Sequence, residues 1–173
     1  LTTPDGRAVA FDVRDGTNDA NIATAVNVWD GHVNDEYRMR GRVLSGWAMD
    51  VGAHIGGVAV PLAMDHPNLR VIAVEGVPEN AELCRQNAER NGVADRVIVL
   101  NAFAAAPGTL TGVCNYGYTR VADTADAYVS AHRFIGNTWP DLAGPEFSVE
   151  MPAVSIDGLM QTYDIAEVDL IKI

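Results

Sequence analysis

Asp50-Val51-Gly52-Ala53-His54-Ile55-Gly56 is the stretch on which the fold turns. It continues Trp47-Ala48-Met49, so a mostly apolar run ends on an acid and then breaks at glycine. A short apolar run of this kind suits a strand buried on both faces of a sheet. The glycines allow a sharp strand-to-helix turn and let a ligand approach the backbone closely. An apolar helical stretch follows to about Met64, and Asp65-His66-Pro67-Asn68 stops it.

The same rhythm repeats outward. Arg70-Val71-Ile72-Ala73-Val74-Glu75 reads as a second strand. Pro78 to Asn91 reads as a helix, with proline in its first turn and Asn91-Gly92 at its end. Arg96 to Leu100 is a third strand, Ser155 to Tyr163 a further helix, and Asp169-Leu170-Ile171-Lys172-Ile173 the start of a fourth parallel strand. Strands alternating with helices predict an α/β fold: a Rossmann-like parallel sheet with helices on both faces. The sequence stops inside that fourth strand. Since ligands bind at the carboxyl ends of such strands, the domain is expected to be incomplete.

Residues 1–44 read as an appendage before the main domain, 45–173. Ala8 to Arg14 alternates apolar and polar, which predicts a short strand. After a turn at Asp15 to Asn18, Asp19 is a candidate cap for a helix to about Trp29, with Ile22, Val26 and Trp29 on one stripe. A second short helix is expected near Asn34 to Arg40. From about 107 to 152 the rhythm breaks into an irregular insertion rich in Gly, Thr, Asn and Tyr, with one candidate helix near Thr124 to His132.

The 173 residues are enough for one domain with a substantial core, and 48% of them are hydrophobic. The net charge of −11 disfavours a nucleic-acid partner, because phosphate backbones are held by Lys and Arg. No apolar run is long enough to span a membrane. Leu1-Thr2-Thr3-Pro4-Asp5-Gly6 has no signal-peptide character, and the missing initiator Met points to further residues upstream. Cys84 and Cys114 make no disulfide framework, Cys84 reads as a small core residue, and a reducing cytoplasm is the expected setting. No Cys/His spacing marks a zinc site, and no metal site is assigned.

The acids at the two strand ends carry the chemistry. Glu75 stands about 20 residues beyond the loop, where a carboxylate can accept both hydroxyls of a ribose. The helix after the loop offers N–H groups to an anion. A nucleoside with a charged tail fits, which leaves nicotinamide dinucleotides and S-adenosylmethionine. A dinucleotide loop places glycine where Asp50 stands. A carboxylate there repels a pyrophosphate but favours the ammonium and sulfonium of S-adenosylmethionine.

Five segments together resemble the FkbM-type family of S-adenosylmethionine-dependent methyltransferases. They are Arg14-Asp15-Gly16-Thr17-Asn18-Asp19, the loop from Asp50 to Gly56, Val74-Glu75-Gly76-Val77-Pro78-Glu79-Asn80, Val154-Ser155-Ile156-Asp157 and Val168 to Ile173. The loop alone is shared by many methyltransferases, whereas the last two segments in this order make the match specific. The resemblance implies a class I methyltransferase sheet and O-methylation of a small molecule, sugar or glycolipid, with S-adenosyl-L-homocysteine as product. It also implies a continuation with Asp, a small apolar residue, Glu and Gly. Two positions depart from the family: His54 replaces the usual Asn, and Ala105 stands where an acid often does. Asn101 and the backbone near Ala102 then become the candidate adenine contacts, beside Phe103.

The expected cofactor set is therefore Asp50, Gly52, Ala53, His54, Gly56, Glu75, Asn101 and Ala102. An alcohol acceptor must lose a proton, and His54 in the loop is one candidate base. Lys172, unusual inside an apolar strand, is a candidate to touch substrate or to pair with an acid such as Asp50. His132 and Trp139 lie in the insertion and are weaker candidates for the acceptor side. Asp123, Asp126 and Asp141 read as a solvated face, and Trp29 and Trp47 as core. Two competing readings remain: a nicotinamide-dependent oxidoreductase and a non-catalytic nucleoside-binding module.

Overall fold

The computed structural model describes residues 1–24, 27–29, 32–33, 37–114, 119–121 and 147–173. Its centre is a sheet of four parallel strands: β3 (Gly46–Val51), β4 (Leu69–Glu75), β5 (Val97–Asn101) and β10 (Leu170–Lys172). The spatial order is β10-β3-β4-β5. The chain thus builds outward from β3 to β5 and then returns to the far side of β3. The order reverses between β3 and β10, and that switch point is where open α/β sheets bind ligands.

Two helices, α2 (Ala59–Asp65) and α3 (Pro78–Arg90), connect β3 to β4 and β4 to β5. Side chains alternate along a strand. Ala48, Val71 and Ala73 therefore face α2 and α3 in one core cluster with Val60, Cys84 and Ala88. Met49, Ile72 and Val74 face the opposite way, against Leu159 of a helix at Ile156–Thr162, numbered α4 below, and Ile165 beyond it. Both faces of the sheet are covered, as the apolar strands require. Ser155 caps α4 by accepting the Gly158 N–H at 3.0 Å.

Four expectations change. Residues 9–14 form no strand; only Ala8 bridges, to Thr2. The N–H groups of Ala10, Asp12 and Arg14 go instead to side-chain oxygens of Asn91, Asn87 and Asp19, at 3.0, 2.7 and 2.9 Å. The two-residue period is real, but α3 supplies most of the partners. Helix α1 is only Asp19–Thr24, and β1 (Val28–Trp29) then pairs antiparallel with β2 (His32–Val33). The Asn27 amide donates to the Ala23 carbonyl at 2.6 Å. Asp19 does not cap α1, because its carboxylate is turned back to Arg14. Of the helix expected near residues 34–40, the described part, 37–40, is not helical, and Arg38 has φ +53°.

The fourth change is the insertion, whose described parts are ordered β-structure. β7 (Gly108–Cys114) pairs antiparallel with β8 (Thr119–Val121) and with β9 (Phe147–Val154), and β6 (Phe103–Ala104) joins β9 in parallel. Phe103 lies across Gly112 with no room for a Cβ, and packs with Val77, Met151 and Ala153, so its place is core. The candidate helix near Thr124 to His132, with Asp123, Asp126, His132, Trp139 and Asp141, lies outside the described residues. Trp47 is half-buried between Tyr163 and the Arg70 guanidinium, which sits 4.4 Å over its ring.

Candidate functional site

The site is the loop that leaves β3 and the strand ends beside it. Gly52 and Gly56 have φ +71° and +88°, and His54 between them has φ +52°. A Cβ on Gly52 would meet only the Lys172 ammonium, 3.9 Å away, so the space beside it is open. A Cβ on Gly56 would press on Cys84 Sγ and Val60 Cγ2, both at 3.0 Å. Gly57 is tighter still, with the Ile22 carbonyl oxygen 2.7 Å from where its Cβ would lie. The first glycine leaves room, and the others let helices close in.

Asp50 and Lys172 are register partners on adjacent strands, which puts both side chains on one face. Their charged atoms are 3.1 Å apart. Lys172 also donates to the carbonyls of Val51 and Gly52, at 3.1 and 2.9 Å. Two carbonyls and the Asp50 carboxylate thus surround the ammonium. Burial alone lowers the lysine's affinity for its proton, but Asp50, by charge and by hydrogen bond, outweighs this and holds the ammonium above its ordinary range. The other Asp50 oxygen accepts the Ala59 N–H at 3.0 Å, satisfying an orphan donor at the start of α2. Asp50 is 1% exposed. Its carboxylate therefore braces the loop from beneath, and its charge is returned by Lys172.

Glu75, the last residue of β4, is equally engaged. One oxygen accepts the His54 N–H at 2.8 Å. The other accepts the Val77 N–H at 2.8 Å and the Asn80 amide at 3.4 Å. The left-handed conformation of His54 aims its N–H at Glu75; such backbone is uncommon outside glycine, with Asn and His among the residues that tolerate it. A carboxylate has about four lone-pair directions, so Glu75 keeps capacity for a further donor. Asn101, register partner of Glu75, donates its amide to the Glu75 carbonyl at 2.9 Å, and the Ala102 N–H goes to the same oxygen at 3.1 Å. Both candidate adenine donors therefore serve to fix the end of β4. Ala53 donates its N–H to the Val74 carbonyl at 3.1 Å, as does Gly52 at 2.9 Å.

Asn80 and Asn87 of α3 join the site without belonging to the expected cofactor set. They are 1% and 0% exposed, two turns apart on the buried face of α3. Asn87 exchanges hydrogen bonds with the Asp12 backbone and donates to the Ile55 carbonyl at 2.9 Å. The signal was present: asparagines on a helix stripe that otherwise reads Ala81, Cys84, Ala88. No group of three or more metal-ligating side chains converges among the described residues. None of their helices is long and apolar enough to cross a membrane.

A family model described as a precorrin methyltransferase domain matches residues 39–115, the stretch that carries the loop and Glu75. The fold is that of a Rossmann-like class I methyltransferase. Among solved structures, the chain is similar to an RNA methyltransferase from Salinibacter ruber in complex with S-adenosyl-L-homocysteine, at 28% identity over 34% of this chain and 37% of that one, with a TM-score of 0.32. It is also similar to a precorrin-6y C5,15-methyltransferase from Geobacter metallireducens, at 25% identity over 38% of this chain and 34% of that one, TM-score 0.34. A third is an O-methyltransferase family 2 protein from Planctomyces limnophilus in complex with apigenin, at 30% identity over 34% of this chain and 18% of that one, TM-score 0.29. The chain thus spans little more than a third, at most, of these proteins. No curated protein matches it.

Proposed function

We propose that this chain is the cofactor-binding part of an S-adenosylmethionine-dependent methyltransferase, of FkbM type, that methylates a hydroxyl of a small molecule, sugar or glycolipid. One observation carries the reading: the loop at the switch point between β3 and β10 stands next to a strand-end carboxylate, Glu75, with acceptor capacity to spare. Among the described residues Asp50 and Asp19 each face a cation, whereas Glu75 forms no ion pair. Ribose hydroxyls are suitable donors to it, and a pyrophosphate at the loop is not favoured beside it. The matched methyltransferase family model supports the same cofactor.

S-adenosylmethionine supplies an electrophilic methyl group on a sulfonium. The chain's own residues bind and orient: Glu75 for the ribose, and the open side of Gly52 for the methionine moiety. Lys172 and Asp50 keep the loop in shape from below. Positioning of this kind supplies much of the rate in a transfer between two bound partners. His54 is the candidate base for the acceptor hydroxyl, and Lys172, bonded to two loop carbonyls and paired with Asp50, is assigned to holding the loop. The FkbM assignment rests on the segments at Arg14–Asp19, Val154–Asp157 and Val168–Ile173, and a reducing, cytoplasmic setting suits the buried thiol of Cys84.

Titration of the protein with S-adenosyl-L-homocysteine and with NAD tests the cofactor. S-adenosyl-L-homocysteine is expected to raise the melting temperature and give a calorimetric isotherm, and NAD to do neither. The opposite result would favour an oxidoreductase and overturn the proposal.

A further inference from the structure

The N-terminal segment reaches the same loop from its outer side. Arg14 to Asp19 folds onto itself: Thr17 Oγ1 donates to the Arg14 carbonyl at 2.8 Å, and the Asp19 N–H to Thr17 Oγ1 at 3.2 Å. The Asp19 side chain is fully buried and receives Arg14 as a fork, Nε to one oxygen and Nη2 to the other, both at 2.8 Å. Burial pushes the Asp19 carboxyl upward, but the hydrogen bonds from Arg14 and the nearby His54 prevail, and it is held below its ordinary value. A buried ion pair gives little net stability over an apolar pair, because desolvation offsets its attraction. What a forked pair supplies is direction.

Two links leave this pair, and both end on Glu75. Arg14 Nη2 donates to Asn80 Oδ1 at 2.5 Å, and the Asn80 amide donates to Glu75 Oε1 at 3.4 Å. Asp19 Oδ1 lies 3.8 Å from His54 Nδ1, and the His54 N–H donates to Glu75 Oε2 at 2.8 Å. One oxygen of Glu75 is thus joined to the ion pair by hydrogen bonds through Asn80, and the other by way of His54, whose ring approaches Asp19 at ion-pair distance. The approach of Ile22 to Gly57 seats α1 against the loop next to these links.

We propose that Arg14 and Asp19 are positioning residues of the cofactor site. Their pair sets the orientation of the Glu75 carboxylate and of His54, and residues 12–24 form a wall of the site that must be docked for the nucleoside to bind. This rests on the cofactor reading of the loop.

Asp19→Asn and Arg14→Lys test it in the full chain. The first removes the charge while keeping the shape; the second keeps the charge while losing the fork. S-adenosyl-L-homocysteine affinity is measured by calorimetry, and amide hydrogen exchange is followed at His54, Val77 and the β4 residue Ile72 in the unliganded protein. Each variant is expected to bind about tenfold more weakly, the loss of one charged hydrogen bond. Exchange at His54 and Val77 is expected to speed up while Ile72 stays protected. Normal affinity with unchanged exchange at His54 and Val77 overturns the positioning role. So does faster exchange at all three amides in parallel, which would mark a general loss of stability. If Asp19→Asn does not fold, Arg14→Lys decides by the same readouts. A wild-type protein that does not bind S-adenosyl-L-homocysteine overturns the cofactor reading itself, whereas wild-type binding with unaffected variants overturns the positioning role alone.

Discussion

The loop from Gly52 to Val58, mostly buried, and the segment from Ala8 to Asp19, partly exposed, both carry irregular backbone, and they satisfy it differently. The loop relies on the strands that flank it: Gly52 and Ala53 donate to the Val74 carbonyl, and Asp50, Glu75 and Lys172 reach in from three strand ends. The segment has almost no strand beside it. Its polar groups are met by amides on α3, with Asn87 joining the segment to the loop and Asn91 exchanging two bonds with Ala10. A buried N–H needs an acceptor of some kind, and a helix face of asparagines serves as well as a strand edge. The loop is thus fixed by topology and the segment by particular side chains.

Substitutions can break each arrangement separately. Gly52→Val is expected to have the largest effect, because Gly52 has φ +71° and a branched side chain would fill the open space beside it. Binding of S-adenosyl-L-homocysteine should be lost in calorimetry; a folded variant that still binds would show that the ligand does not lie beside Gly52. Glu75→Ala comes next. It removes the acceptor from two buried backbone N–H groups, at about 1–3 kcal/mol each, so unfolding in urea should show a loss of roughly 2–6 kcal/mol. A loss well below 1 kcal/mol would mean that the loop does not depend on this carboxylate.

Asn87→Ala attacks the joint between the two regions. It should cost about 2 kcal/mol in the same assay and speed amide exchange at Asp12, whose N–H it receives. Unchanged exchange at Asp12 would argue that the segment is held elsewhere. The smallest effect concerns pH. The Asp19 carboxyl is held below its ordinary 3.8, so its contribution to stability is complete above that pH and fades as pH falls through the folded value. The stability gap between wild type and Asp19→Asn should narrow in strong acid, as the wild-type carboxyl takes up its proton. A gap that instead widens in acid would contradict the Arg14–Asp19 pairing.

Apolar periodicity made the parallel sheet legible, and with it the positions of Gly52, Gly56 and Glu75 at the strand ends. The pairing of Lys172 with Asp50 was also within reach, since a cation in an apolar strand needs a partner. The antiparallel sheet of β7, β8 and β9 was only partly legible: β9 alternates Phe147, Val149, Met151 and Ala153 with Ser148, Glu150 and Pro152, but the Gly- and Thr-rich β7 that pairs with it shows no comparable alternation. Asn80 and Asn87 stood out as polar residues on an apolar helix stripe, but not their bonds to Arg14 and Asp12, which lie 66 and 75 residues away in sequence.

By itself the sequence determined the alternation of strand and helix, since the period of apolar residues sets which element can bury them. It also determined that acids and glycines would meet at the loop from Asp50 to Gly56. Tertiary structure alone decided how those acids are used. Burial turned Asp50 inward to Lys172 and the start of α2, because a buried carboxylate must be paired. Of the two strand-end acids, it left Glu75 without an ion pair among the described residues. It also brought Arg14 and Asp19 to the outer side of the loop, a contact that no local pattern encodes, because it depends on where α3 lies between them.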